Sequence, residues 1–368
     1  MTKQYKPKVY LDYASTSPLS KSVCGKLDSL GWNWFNPSSF YGAGTYNKYV
    51  IEKVRKKVAE SINAEPEEII FTSSGSEANA LAIDGFLKVN DKFSICHCSN
   101  IEHASIYDNL NCVPSIKVDK DGVVDLRTLP QSKSFCSVMM CNNELGTYQP
   151  TQQIADAVHS TGGVIHVDAV QVYGKIPINV KVIDVDMMSI SGHKIGSLRG
   201  VGVLYVKKGI KLSPIVYGAQ ENALRGGTYN DLAIKTLGLA INDIDYKKDL
   251  EVRAKRDFLL KELLDIKQIH LNGGLETRNA SNLNIRISGL NIESQQIVSL
   301  LDELGFMVSG GSACHSYSSM PSHVLKAIGL SDAQAKSSIR ITIGKETSVQ
   351  ELKDFVEALK YVIKTNRK

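Results

Sequence analysis

No apolar run in this sequence approaches the length needed to cross a bilayer, which excludes a helical membrane span and points to a soluble protein. Blocks of like charge are also missing. The 43 basic and 38 acidic residues leave a net charge of +5 spread along the chain, and a mild, even excess of this kind is no nucleic-acid signature. The 7 cysteines are odd in number and lack framework spacing, which excludes a disulfide scaffold and suits a reducing compartment. Residues 1–8 are polar and show neither a secretory h-region nor an Arg-rich amphipathic presequence, so cytoplasm is the expected location. Internal repeats and low-complexity segments are absent as well.

What is present is an ordinary globular composition, 43% hydrophobic and 22% charged, over 368 residues. That length suits two domains, or one large α/β domain with a smaller companion. Short apolar runs at 69–71, 93–96, 135–140, 163–167, 186–190 and 201–206 alternate with helical or loop segments, which predicts a mostly parallel sheet with helices on its faces. The gap between the last two runs is too short for a helical crossover, so an antiparallel or edge-reversed strand is expected there. A helical stretch from 228 to about 265 reads as a bridge to a second, α+β portion, with strands at 283–287 and 339–343 and helices at 297–304, 322–328 and 349–363. The basic residues 53–57 lie in a segment where Tyr46, Val50, Val54, Val58 and Ile62 recur every fourth position. This is the pattern of a helix with a solvated basic face, and no direct nucleic-acid binding is expected of it.

Two residues carry most of the chemical signal. Lys194 sits in the polar turn after an apolar run, and Asp168 lies 26 residues earlier at the end of another. An amine able to form a Schiff base and a carboxylate able to keep a pyridine nitrogen protonated are the two groups that pyridoxal phosphate chemistry requires. Either alone is an ordinary turn residue. The turn at 72–77 is by itself a serine N-cap; beside that pair it becomes a seat for a phosphate, because a helix start exposes unpaired N–H groups and a positive dipole end. Asn142 and Asn143 follow a buried run, where ligand-facing loops of open α/β sheets occur. Gln171 and His193 fall near the same edge, and His103 is either structural or an acid/base stacked on a pyridine ring. Cys314 lies among glycines and serines, an exposed setting unlike that of the packing cysteines Cys112, Cys136 and Cys141. Cys96-His97-Cys98 has metal-like spacing, but alternation along a strand sends His97 away from the two thiols, so no metal is expected.

The segments Tyr10-Leu11-Asp12-Tyr13-Ala14, Asn36-Pro37-Ser38-Ser39, 72–77, Glu102-His103, 142–146, 166–171, Ser191-Gly192-His193-Lys194, Arg225-Gly226-Gly227-Thr228, Gly311-Ser312-Ala313-Cys314 and Ser338-Ile339-Arg340 run nearly end to end in order. Together they resemble the cysteine desulfurases of the iron-sulfur assembly type (NifS- and IscS-like), within the class V aminotransferase group of fold-type I pyridoxal phosphate enzymes. The resemblance implies a mixed, mostly parallel seven-stranded sheet in a large domain (13–245) and a smaller α+β domain (1–12 and 246–368) carrying the Cys314 loop. It also implies roles. Lys194 is the Schiff-base lysine, Asp168 the partner of the pyridine nitrogen, His103 the stacking acid/base and Gln171 the contact to the phenolic oxygen. Gly75, Ser76, Ser191 and His193 hold the phosphate, with Thr228 supplied from the neighbouring subunit of a homodimer. Asn143 and Arg340 hold the substrate carboxylate, a site that favours arginine's two-pronged geometry. L-cysteine is then the substrate, Cys314 carries its sulfur as a persulfide, and alanine is the product.

The chain departs from the family pattern at three places: Phe40-Tyr41 where relatives carry a histidine, 195–199 after the lysine, and 219–222 in place of a glycine-rich basic run. Two other readings compete: a selenocysteine lyase or other β-eliminating class V enzyme, and a pyridoxal-binding scaffold without turnover. Iron-sulfur scaffold proteins and tRNA-thiolation proteins are both candidate sulfur acceptors.

Overall fold

The structure is a computed structural model that describes residues 9–31, 34–310 and 320–367. In chain order its strands are β1 (Val9–Tyr10), β2 (Ile69–Thr72), β3 (Cys96–Ser99), β4 (Cys112–Ile116), β5 (Phe135–Met139), β6 (Val164–Asp168), β7 (Met187–Ser191), β8 (Gly202–Val206), β9 (Ile269–Leu271), β10 (Asn282–Ile287), β11 (Phe306–Met307) and β12 (Ser338–Thr342). Seven of them form the main sheet in the order β2-β8-β7-β6-β5-β3-β4. All pairings are parallel except the two made by β8.

The reversed strand fits the spacing argument, with one refinement: β8 lies inside the sheet, between β7 and β2, and not at its edge. Every residue of β5, β7 and β8 is buried, as expected where helices cover both faces. Two expected elements differ. The run at 93–96 gives way to Cys96–Ser99, because Phe93 leaves the sheet to pack its ring 5.2 Å from that of Phe86. The helical bridge is two helices, Asp231–Asn242 and Lys248–Leu264, separated by a break at 243–247. The long helix Gly42–Ile62 buries Val54, Val58 and Ile62 of the expected stripe, whereas Tyr46 faces solvent and Val50 is only half-buried, its neighbour Ile51 being buried in its place.

A second core is built from β9, β10 and β12 together with the helices Lys248–Leu264, Ser294–Glu303 and Val349–Thr365, and Val9 and Leu11 belong to it. A smaller cluster joins Ile101, Met139 and Leu145 to Val324, Leu325 and Ile328, so the two portions are packed against each other. No helix among the described residues is long and apolar enough to cross a membrane.

The departure at 219–222 has a physical signature. Glu221, Asn222 and Ala223 all have positive φ, 50°, 55° and 64°. A left-handed residue with a side chain costs about 1–2 kcal/mol, and a fixed anchor opposes that cost: Arg55 grips Glu221 through Nη1 at 2.8 Å and Nη2 at 2.7 Å, while Phe71 N–H donates to Glu221 Oε2 at 2.7 Å. The pair is buried and bidentate, the geometry in which an arginine–carboxylate contact is strongest. Ala223 is itself exposed, so its methyl packs against little. Ala223→Gly is therefore expected to stabilise the fold by about 1 kcal/mol, read as a higher urea midpoint at unchanged slope. An unchanged or lower midpoint would contradict the strain.

Candidate active site

Because β2, β3, β5, β6 and β7 run parallel, their C-terminal ends share one edge of the sheet, where ligands of open α/β folds bind. Ser74–Ser76 follow β2, His103 follows β3, Asn143 follows β5, Asp168 ends β6, and Ser191, His193 and Lys194 end or follow β7. A cavity of about 260 Å³ opens there. Ten of the residues singled out from the sequence line it: Gly75, Ser76, His103, Asn143, Asp168 and Gln171 on one part of its wall, with Ser191, His193, Lys194 and Arg340 completing it. Thr228 is exposed and does not line the cavity. Cys314 lies outside the described residues, as do its neighbours 311–319.

The Lys194 amine donates to two backbone carbonyls, Ala14 O at 2.6 Å and Ser15 O at 2.7 Å. Burial is the main force that pulls its pKa down to about 7, helped by the positive charges of Arg340 and Lys175 and opposed by Asp12 and Asp168. Carbonyls compensate a charge less than a carboxylate would. The neutral amine is accordingly a large part of the population near pH 7.

Asp168 is held from two sides, with Asn79 Nδ2 donating to Oδ2 at 2.9 Å and Val170 N–H to Oδ1 at 2.9 Å. Asn79 lies inside the helix Gly75–Leu87, whose first turn frames the cavity. His103 caps the short helix Ala104–Tyr107, its Nδ1 facing Ser105 N–H at 3.1 Å and Ser105 Oγ at 2.9 Å. Next to it Glu102 is fully buried. Its Oε1 accepts from Met139 N–H at 2.8 Å and from Ser99 Oγ, its Oε2 finds no partner among the described residues, and burial holds its pKa well above the carboxylate range. His193 Nδ1 faces Thr16 Oγ1 at 3.1 Å, and burial, then the charges of Lys194 and Arg199, lower its pKa to about 4.

Arg340 projects from β12 in the other core, only 2% exposed. Nη2 donates to Asp12 Oδ1 at 2.8 Å and Nη1 to the Asn143 carbonyl at 2.9 Å. Its Nε and the Asn143 Oδ1 are buried polar atoms without a partner among the described residues. Orphaned buried donors and acceptors are costly, and such a pair in one cavity wall is what a polar ligand would satisfy.

The residues present fit the cofactor that the resemblance implies. A Cβ added at Gly75 would come within 2.8 Å of Val170 Cγ2, so glycine is what lets this helix start lie against the cavity wall. Serines at 74, 76 and 191 surround it, the amine and the carboxylate share one cavity, and among the described residues no lysine or arginine other than Lys194 and Arg340 lines it. Sequence reasoning missed Asn79, Asp12 in its contact to Arg340, and the carbonyls of Ala14 and Ser15. A main-chain oxygen has no signature in a sequence, and an asparagine inside an Ala/Leu-rich helix was visible only as an oddity.

The Lys194 shift has a consequence for stability. Between the folded value of about 7 and the ordinary 10.5 the unfolded chain binds a proton that the folded chain refuses, so this group's contribution rises with pH across that window and is lost as pH falls toward 7. In ligand-free protein the stability of wild type relative to Lys194→Met is expected to rise from pH 7 to pH 10, measured by denaturant titration at several pH values. A constant difference would show that the amine is not desolvated.

Comparison with known proteins places this geometry. The aminotransferase class-V family matches residues 9–355. The cysteine desulfurase IscS of Dictyoglomus turgidum is 36% identical, over 98% of this chain and 96% of that protein. Among solved structures, a NifS-like protein from Rickettsia africae superposes with a TM-score of 0.87 at 31% identity, covering 97% of this chain and 99% of the other. A structure described as SspA in complex with cysteine gives a TM-score of 0.79 at 28% identity, covering 93% of this chain and all of that one. A family match over nearly the whole length, with the same fold and an amine, a carboxylate and a guanidinium around one cavity, leaves no ambiguity: this chain belongs to the class-V aminotransferases.

Proposed function

We propose that the protein is a cysteine desulfurase, converting L-cysteine to L-alanine and transferring the sulfur to its own Cys314 as a persulfide. Its cofactor is pyridoxal 5′-phosphate. One observation supports the reading most: the largely neutral, buried Lys194 and the twice-anchored Asp168 line the same cavity as an arginine with an unpartnered Nε. Full-length similarity to a relative named as a cysteine desulfurase, and to a structure described as containing cysteine, supports the choice of substrate.

When bound, the cofactor supplies a sink for the electron pair left on the substrate Cα. Lys194, Asp168, Gln171 and His103 would hold its ring, and Gly75, Ser76, Ser191 and His193 its phosphate. The remaining steps belong to the chain. Lys194 donates its two N–H groups to Ala14 O and Ser15 O when neutral, which leaves the lone pair to take a proton from Cα. Arg340 offers Nε and Nη2 as a two-pronged seat for the substrate carboxylate, with Asn143 beside it. His103 exchanges protons with the substrate thiol. The Cys314 thiolate attacks that sulfur; the S–S bond forms as the Cβ–S bond breaks, the electron pair remains with the carbon skeleton, and protonation releases alanine.

The described flanks of residues 311–319 bear on the reach of Cys314. Ser309 exchanges two backbone hydrogen bonds with Arg340, at 3.1 and 2.7 Å, and Ser322 Oγ donates to Glu144 Oε2 at 2.6 Å. Cys314 lies five residues beyond Ser309, a span of at most about 17 Å. Both flanks are therefore tied beside the cavity.

Three further assignments belong to this reading. The chain divides into a large portion, 13–245, and a small one, 1–12 with 246–368; Val9 and Leu11 in the second core support this. It acts as a homodimer in which Thr228 completes the phosphate site of a second copy. Thr228 is exposed, and Phe40, fully exposed, lines a cavity with Gln220 and Tyr229 of the same loop region, while Trp34, Tyr41, Tyr46 and Tyr49 add to the exposed aromatic surface. It works in the cytoplasm and hands sulfur to an acceptor protein of iron-sulfur assembly or tRNA thiolation. The six described cysteines are all unpaired, as a reducing compartment requires.

Purified protein given L-cysteine and a reductant should produce alanine and sulfide in equal amounts, with one added sulfur on Cys314 by mass spectrometry. Cys314→Ser should abolish both while leaving the yellow cofactor in place, and Arg340→Lys should cost roughly 10–100-fold in kcat/KM, mainly through KM. Sulfide release that survives in Cys314→Ser would overturn the persulfide route in favour of direct β-elimination.

A further inference from the structure

Lys175 is a half-buried lysine that the reaction as described does not use; burial lowers its pKa, opposed by Cys141 and Asp249. It follows Gly174, whose φ of +78° turns the chain back on itself and whose bare α-carbon lies so close to Ile195 that a Cβ would meet Ile195 Cγ2 at 2.5 Å. The reversal carries Lys175 back over Gln171. Its Nζ lies 3.3 Å from Gln171 Oε1, and on the far side of the same amide Nε2 donates to Ala14 O at 3.0 Å. Lys175 also lines a second cavity, of about 260 Å³, that reaches Lys194 from outside the cofactor cavity.

An ammonium can only donate and a backbone carbonyl can only accept. The two contacts therefore agree on the orientation of the Gln171 amide, and flipping it would put like against like at both ends. With Oε1 taken by Lys175 and one N–H taken by Ala14, the amide has a single N–H left to give.

We propose that Lys175 is a positioning residue of this site, locking the Gln171 amide so that its remaining N–H faces the phenolic oxygen of the cofactor. The inference rests on the reading of Gln171 and Lys194 given above. An N–H donated to that oxygen would withdraw electron density from the Lys194 Nζ where it joins the cofactor, and the Lys175 charge would act in the same sense, so both would lower the pH at which Nζ loses its proton. The other charged groups facing Lys194 are Arg340, Asp12 and Asp168, with His193 next in the chain; those facing Lys175 are Asp249 and Arg340, together with the titratable Cys141 thiol, which burial pushes up to about 11. Among the described residues, Lys175 is the side chain that donates to Gln171 Oε1.

The test is a pH titration of the visible absorbance of the cofactor-loaded protein, which needs no turnover. Lys175→Met should move the midpoint upward by about half a pH unit or more, Lys175→Arg should restore it, and Lys175→Gln, which keeps a donor without the charge, should fall between. In a Gln171→Ala background the Lys175→Met shift should shrink, because part of it acts through the amide. A midpoint unchanged in Lys175→Met, an equal shift in Lys175→Arg, or a shift of full size in the Gln171→Ala background would overturn the proposal. If Lys175→Met does not retain cofactor, Lys175→Gln read against Lys175→Arg decides. A wild-type protein without a visible band would overturn the cofactor site itself, an outcome distinct from a band that titrates alike in every variant.

Discussion

A lysine amine with no carboxylate within hydrogen-bond reach among the described residues is the constraint on which the rest of this site depends. Lys194 is desolvated, its two hydrogen-bond partners are neutral carbonyls, and the nearest strong charges include Arg340 and Lys175. The acidic groups that could have neutralised it are engaged elsewhere. Asp12 is bonded to Arg340, and Asp168 to Asn79 and the Val170 N–H. The site thus keeps a base and an acid within one cavity without letting them form the ion pair that would silence both.

The segment 12–17 is what enforces that separation. Asp12 takes Arg340, the Ala14 carbonyl takes both Gln171 and Lys194, Ser15 takes Lys194, Thr16 meets His193, and Ser17 binds the backbone oxygens of His193 and Lys194. The segment is itself pinned. The Tyr10 hydroxyl lies against the carbonyls of Asp12 and Thr16, and Ala14 N–H donates to Thr342 Oγ1. It begins in the smaller core, where Val9 and Leu11 pack, and ends on the main sheet's active edge. A displacement between the two cores would be felt at once by the amine, the guanidinium and the amide, so the positions of these three groups are set together.

The groups legible in the sequence were those whose side chains announce their chemistry at a strand end. Lys194, Asp168, His103 and the Ser74–Ser76 turn could be placed because apolar runs marked the strands before them, and parallel pairing then gathers strand ends on one edge. The reversed strand was legible from connection length alone, since ten residues cannot hold a helical crossover. What could not be read was whatever depends on backbone or on packing at long range. The two carbonyls at 14 and 15, the anchoring of Asp168 by Asn79, and the exit of Phe93 from the sheet toward Phe86 are consequences of the assembled fold. Tyr46 misled for a related reason: aromatic periodicity marks a helix face as apolar without saying whether this chain covers it.

The departures from the family pattern, scattered in sequence, are largely one feature in space. Phe40 and the whole of 219–222 line a single cavity of about 440 Å³, with the Arg55–Glu221 pair in its wall. None of these residues lines the cofactor cavity. The third departure also points away from the chemistry: Ile195 fills the space beside Gly174, and Ser197 is buried against Thr236 and Ala233. Replacing a glycine-rich run with a segment whose last two residues, followed by Ala223, are left-handed imposes a local strain, and the buried arginine–carboxylate pair is the element that resists it. The loop that ends in Thr228 is thereby fixed at its base by contacts to β2 and to the helix Gly42–Ile62, and not by glycine's own conformational preference. The same sequence change that looks like a loss of family character is, in three dimensions, a different way of holding the base of an exposed loop.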